Sequence, residues 1–238
     1  MIKRIFNQEL KNILRDKTYL FFLVYPFLII LISYFLFPYL KQNSPEIVGD
    51  ILIIIFILIN PMIFGFITGF TILDDRDDNV INSLKISPIN INYYLIIKLL
   101  FSYLLSVITT ILLILVSNML NSNFIIISLL IVLVNLQAPL LALVINLFAN
   151  NKVEGFVLMK ATSILLLIPL AALFINNWTE ILIYIIPGFW STRIITILLY
   201  NNNYLLDSAI YILLGFVLNF FFISSAFIMY SKKLKSIN

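Results

Sequence analysis

The chain has 238 residues, 62% of them hydrophobic and only 11% charged, whereas a soluble domain is about a quarter charged, so the composition is that of an integral membrane protein. It has no cysteine and no histidine, which excludes a disulfide framework, a thiolate metal site and an imidazole base. None of its six glycines stands in a G-x-x-x-x-G-K-[S/T] pattern, so it has no P-loop for ATP hydrolysis, and its net charge of +4 is read below from where the charges fall.

Residues 1–17 have the pattern of an amphipathic helix. Ile2, Ile5, Phe6, Leu10, Ile13 and Leu14 recur at three- and four-residue spacing, with Lys3, Arg4, Asn7, Gln8, Lys11 and Arg15 largely off that stripe. Such a helix is expected to lie in the membrane interface, its cations toward anionic lipid. A single transmembrane domain, 18–238, follows. Apolar runs long enough to cross the bilayer lie near 19–40, 51–73, 95–120, 124–149, 156–176 and 208–230. The first is too long for a signal peptide, and no small-residue cleavage pattern follows it.

The loops alternate in charge. One side receives thirteen Lys and Arg and the other only Lys41 and Arg193. That bias places both termini in the cytoplasm and requires an even number of spans. It also accounts for the net positive charge as a topology signal, with no nucleic-acid patch. The outward connection 177–207 is apolar at 181–186, is broken at Pro187 and Gly188, and is apolar again to Tyr200. Neither half is long enough to span. The expectation is a re-entrant helical hairpin in the outer leaflet, with Trp178, Trp190 and Tyr200 at headgroup level.

The segment LDDRDDNVINSLKISP, 73–88, follows the second span on the cytoplasmic side. Asp74, Asp75, Asp77 and Asp78 cannot sit in hydrocarbon. They suit the first turn of a short helix, with Val80, Ile81 and Leu84 as its apolar face and Pro88 as its end. Lying along the membrane, that helix would offer a partner a knob for a groove; a plain solvated acidic loop fits the same residues. Asp74, Asp75 and Asp78 also match a DDxxD pattern for Mg²⁺ and diphosphate, but no second acidic motif accompanies it. An EF-hand fails, because Asn79 and Lys85 stand where Gly and Glu are needed.

The run LDDRDDNVINSLKISPININYYLIIKLL resembles the coupling-helix region of type-2 ABC exporter permeases: an acidic run, then Leu84, Ser87 with Pro88, and Tyr94 with Leu95 entering the third span. A second stretch, Asn151, Lys152, Val153, Glu154 and Gly155, then Lys160, Pro169, Pro187 and Trp190, is similar to the drug-exporter subgroup named for fluoroquinolones. The resemblance covers nearly the whole chain. It implies an all-α bundle of six transmembrane helices with a cytoplasmic coupling helix between spans two and three. It also implies that Asp74, Asp75, Arg76, Asp77, Asp78, Leu84, Ser87, Pro88, Asn151, Lys152, Glu154 and Gly155 contact an ABC ATPase subunit. The permease would pair with a second one, identical or related, in a bacterial cell membrane. ATP and Mg²⁺ would bind the partner subunit, and no cofactor would bind this chain.

Polar residues inside the spans offer either a translocation path or interhelical packing: Asn60 and Thr68 in the second span, Asn135 and Asn146 in the fourth, and Ser102, Ser106, Thr109, Thr110 and Ser117 in the third. Pro61, Pro139 and Pro169 are the expected bend points. No span has a carboxylate in its middle, which disfavours an ion-coupled carrier with an acidic relay. That carrier, a DDxxD prenyltransferase-like enzyme and a non-transporting membrane scaffold stand as the rival readings to an ATP-driven exporter of a hydrophobic or amphipathic substrate.

Overall fold

In hydrocarbon every backbone N–H and C=O must find its partner within the segment, and an apolar stretch does so as a helix. The computed structural model describes residues 2–85, 90–120, 123–165, 168–200 and 204–236, with side chains from 9 to 234 apart from 82 and 85. Every regular element among them is helical. In order these are α1 (Ile2–Arg15), α2 (Lys17–Asn43), α3 (Glu46–Asp77), α4 (Val80–Lys85), α5 (Ile91–Ser117), α6 (Phe124–Asn135), α7 (Gln137–Phe148) and α8 (Lys152–Leu165). Two 3₁₀ segments, Pro169–Leu173 and Trp178–Ile183, precede α9 (Pro187–Tyr200) and α10 (Ser208–Ser236). Six stretches are long and apolar enough to cross a membrane, and they fall where the sequence places them: α2, α3, α5, α6 with α7, Lys152–Leu173, and α10.

The boundaries differ in instructive ways. The connection expected over 41–50 shrinks to Ser44 and Pro45, because α2 runs on to Asn43 and α3 starts at Glu46. At 32 residues, α3 is about 48 Å long, well beyond the bilayer's hydrocarbon. The fourth span breaks at Leu136. Pro139 has no N–H to give the carbonyl four residues back, that of Asn135, and the helix is interrupted there.

The central helix is α3, which packs most extensively against α7, α5 and α2. Its Gly65 and Gly69 allow the close approach to α7: a Cβ on Gly65 would stand 2.7 Å from the Ala138 carbonyl oxygen, and one on Gly69 3.0 Å from Ile145 Cδ1. By contrast α2, α8 and α10 form the rim, with Phe35, Val153 and Phe221 turned outward.

The segment after α8 departs from the expected hairpin of two helices. Its first half is a 3₁₀ segment of six residues, and α9 starts at Pro187, a favoured first helical position. Trp190 is not at a headgroup surface. It is 1% exposed and donates from its indole to the Tyr184 carbonyl at 2.9 Å. Trp178 does face outward, and Tyr200 is half-buried.

Candidate functional site

The acidic run lies at the end of the bundle where Glu9 of α1 meets Thr71 of α3 and Lys233 of α10 meets Leu147 of α7. Its carboxylates do not open a short helix. Asp74, Asp75 and Asp77 form the last turn of α3, Asp78 is its C-cap, and α4 begins only at Val80 after Asn79, whose φ of 57° turns the chain. The last turn is the unfavourable end of the helix dipole for an anion, by about 0.3–1 kcal/mol. Neighbouring helices supply the compensation.

Asp75 accepts hydrogen bonds from Lys98 of α5 and from the Tyr94 hydroxyl. Lys98 is 2% exposed and also pairs with Glu9 of α1 at 2.9 Å. Glu9 in turn accepts from the Thr71 hydroxyl at 2.7 Å. Two carboxylates therefore share one buried ammonium, and the Tyr94 hydroxyl adds a bond to Asp75 Oδ2 and the Thr71 hydroxyl one to Glu9 Oε1. Ions taken out of water are tolerated only with that degree of satisfaction. The cluster joins α1, α3 and α5 in one knot.

A second knot is half-open. Asp74 accepts from the Tyr19 hydroxyl and pairs with Lys152 at 3.0 Å; Lys152 also reaches Asp16 at 3.5 Å and lies 4.6 Å above the Tyr19 ring. Asp16 caps α2 by accepting from the Thr18 amide at 2.7 Å. Burial tends to raise its pKa, but the Thr18 hydrogen bonds and Lys152 outweigh that and hold the carboxyl below its ordinary 3.8. Arg76 donates to the Ala149 carbonyl at 3.2 Å and to that of Asn150, while Lys233 donates to Leu147 at 2.8 Å. Two cations thus gather at the C-terminal end of α7, where the dipole favours them.

The stretch 151–155 has a structural use of its own. Asn151 accepts from the Glu154 amide at 2.9 Å, and Glu154 reaches back to the Asn150 amide at 2.7 Å. This is a reciprocal cap on the start of α8. Gly155 lets α8 rest on α3, since a Cβ there would stand 2.7 Å from Phe70 Cε1. The apolar face of α4 is likewise partly spent. Ile81 is buried against Ile72, Leu95 and Leu99, and only Val80 and Leu84 remain half-exposed. What the acidic run presents outward is Asp77 and Asp78. Ser87 and Pro88 lie outside the described residues.

The in-span polar residues are tied helix to helix. Asn60 donates to Thr109 at 2.9 Å and Thr110 at 2.7 Å, and Thr110 donates to Asn135 at 3.0 Å, so α3, α5 and α6 share one chain of bonds. Asn146 of α7 donates to the Gly69 carbonyl of α3 at 2.9 Å. Thr68 is buried, and its carbonyl accepts from Thr71.

The opposite end holds a fully buried ion pair, Arg193 of α9 with Glu180. Arg193 also donates to the Ala172 carbonyl at 3.0 Å and to Asn176 at 3.1 Å, and Glu180 accepts from Tyr184 at 2.6 Å and Tyr211 at 2.5 Å. Burial raises the Tyr184 phenol above its ordinary pKa, and the Glu180 bond adds to the rise. In the sequence Lys98 and Arg193 stand only as topology marks, and Glu9 and Glu180 belong to none of the motifs above. The available signal was a charge set inside or beside an apolar run, which demands a partner.

For a DDxxD metal site, Asp74 and Asp75 would have to converge. They are taken by different cations, and no group of three or more candidate ligands occurs among the described residues. Residues 9–227 match the model of a protein family described as "Fluoroquinolones export permease protein Rv2686c-like". No individually curated protein matches the chain.

Proposed function

The chain is a member of that permease family, and from this premise we propose that it is the membrane subunit of an ATP-driven exporter, working with a separate ABC ATPase and a second permease. The observation that carries the reading is the end of α3. The most central helix of the bundle ends in an acidic turn whose last two carboxylates, Asp77 and Asp78, face outward beside α4. A partner that presses there pushes on the helix that touches α2, α5 and α7 together.

The coupling residues then divide into two sets. Asp77, Asp78 and the half-exposed Leu84 meet the ATPase, with Ser87 and Pro88 continuing that contact. Asp74, Asp75, Arg76, Lys152 and Glu154, with the Asn151 cap and the Gly155 contact, pass the motion to α1, α5 and α8. ATP and Mg²⁺ bind the partner, since this sequence has no P-loop. Both termini face the cytoplasm of a bacterial cell, and α1 lies at the interface, tied to α3 and α5 through Glu9. The family is named for fluoroquinolones, and an amphipathic aromatic drug of that kind is the substrate class proposed here. The break at Leu136 and the 3₁₀ segment that begins at Pro169 are where the fourth and fifth spans bend.

The test is purification of the detergent-solubilised protein from its native cells with whatever accompanies it. The expected result is a P-loop ATPase that co-purifies with the native chain, is lost with Asp77→Lys/Asp78→Lys, and is retained with a distal variant such as Trp178→Ala. Native chain that never brings an ATPase, and a drug efflux that collapses with the ion gradient, would contradict it.

A further inference from the structure

A cavity of about 350 Å³ lies between α3, α7, α8 and the start of α9. Its walls are almost wholly apolar, with Met62, Leu141, Val144, Leu165 and Phe222 among them. Two polar side chains from helices line it. Thr162 turns its hydroxyl back to its own helix, donating to the Leu158 carbonyl at 2.9 Å. Gln137 is different: it is 8% exposed, and its amide nitrogen has no hydrogen-bond partner. Leaving a buried amide unpaired is unfavourable, and this one stands at the first position of α7, just after the break at Leu136. Gly188 keeps the space beside it open, where a Cβ would come within 3.6 Å of the amide nitrogen and 3.0 Å of Pro169 Cγ.

We propose that this cavity is a binding site for a small, largely apolar molecule bearing a neutral carbonyl oxygen, and that Gln137 donates the hydrogen bond that orients it. The volume falls at the lower end of the range for drug-sized ligands, and one placed polar group in an apolar cleft is how such sites combine affinity with orientation. A neutral carbonyl suits a lone amide donor, because an anion would meet no cation on these walls. The wall is shared by α3, α7 and α8, so an occupant bridges the central helix and the rim. The probe follows from the walls alone, so neither it nor the site rests on the export reading above.

The experiment is saturation binding of N-methylacridone, a neutral fluorescent ring ketone, to the purified protein in lipid nanodiscs without any ATPase, followed by the compound's own fluorescence anisotropy. Saturable binding is expected for the native chain. Gln137→Leu should weaken it by about three- to tenfold, the loss of one hydrogen bond. Val144→Trp, which keeps the amide but fills the cavity, should abolish it. Each variant is first checked for a native elution profile and melting temperature. Native binding that neither substitution changes would overturn the site and leave the exporter standing. Absence of saturable binding to the native chain would also overturn it, while ATPase co-purification remains an independent test of the exporter.

Discussion

The two ends of the bundle bury charge in opposite ways. At the distal end Arg193 and Glu180 are wholly enclosed, and the groups that satisfy them lie close in sequence, between 172 and 211. At the other end Lys98 draws one carboxylate from α1 and another from α3, and the neighbouring acids grade outward to exposed Asp77 and Asp78. The first arrangement fixes one local piece of chain. The second ties together elements that are far apart in sequence and leaves a charged edge where something else can hold them. A closed cap and a handle differ in this respect: both use buried ions, but only the handle continues to the surface.

The largest effect is expected from breaking the cap. Arg193→Met strands Glu180 as a lone buried charge, which costs about 3–5 kcal/mol, and should remove most of the folded protein from detergent extracts. Arg193→Met with Glu180→Leu should recover much of it, as measured by thermal unfolding followed by size-exclusion fluorescence. A double variant no better than the single would mean that the pair does more than neutralise itself.

Lys98→Met comes next. It leaves Glu9 and Asp75 facing each other without their ammonium, and a loss of about 3 kcal/mol is expected. Its distinctive readout is local: α1 should become open to limited proteolysis while α9 stays protected. In the Arg193 variant the order reverses. If both variants open α1 equally, the two ends are not independent units.

A smaller effect belongs to the middle of the bundle. Asn60→Ala removes bonds to Thr109 and Thr110, and interhelical hydrogen bonds in membranes average about 0.6 kcal/mol each. A melting-temperature shift of a few degrees with intact transport is expected. Loss of transport at unchanged stability would place Asn60 on the translocation path instead.

The smallest effect is one of pH. The Asp16 carboxyl is held below 3.8 in the folded state, so its contribution is present above the unfolded value and is lost as pH falls through the lower folded value. The melting temperature should therefore decline toward pH 3, and Asp16→Asn should flatten that decline. An unchanged acid limb in Asp16→Asn would remove Asp16 and Lys152 from the account of how α8 is held.

Most of the fold was legible in the sequence, because long apolar runs and the thirteen-to-two charge bias record the physics of insertion directly. The site was legible only in part. The acidic run reads locally as a helix start. It becomes a helix end because Asp74 and Asp75 find Lys152 and Lys98, 78 and 23 residues away, and no local pattern records that. Trp190 reads as an interfacial aromatic, yet the pairing of Arg193 and Glu180 draws α9 inward with it. The cap made by Asn151 and Glu154 was within reach, since the N-x-x-E spacing is a helix-start signature. Gln137 carries the same signal as Asn135, a polar side chain inside an apolar run, and only the geometry shows that its amide is unpaired.

The central claim is that the handle at Asp78, and not the closed distal end, meets the ATPase. The chain has no cysteine, so Asp78→Cys and Trp178→Cys each create one thiol, which can carry a benzophenone photocrosslinker in native membranes. The account predicts a crosslink from position 78 to a P-loop ATPase and none from position 178. A crosslink to that ATPase from 178, or none from 78 in membranes where the ATPase co-purifies with the native chain, would contradict it.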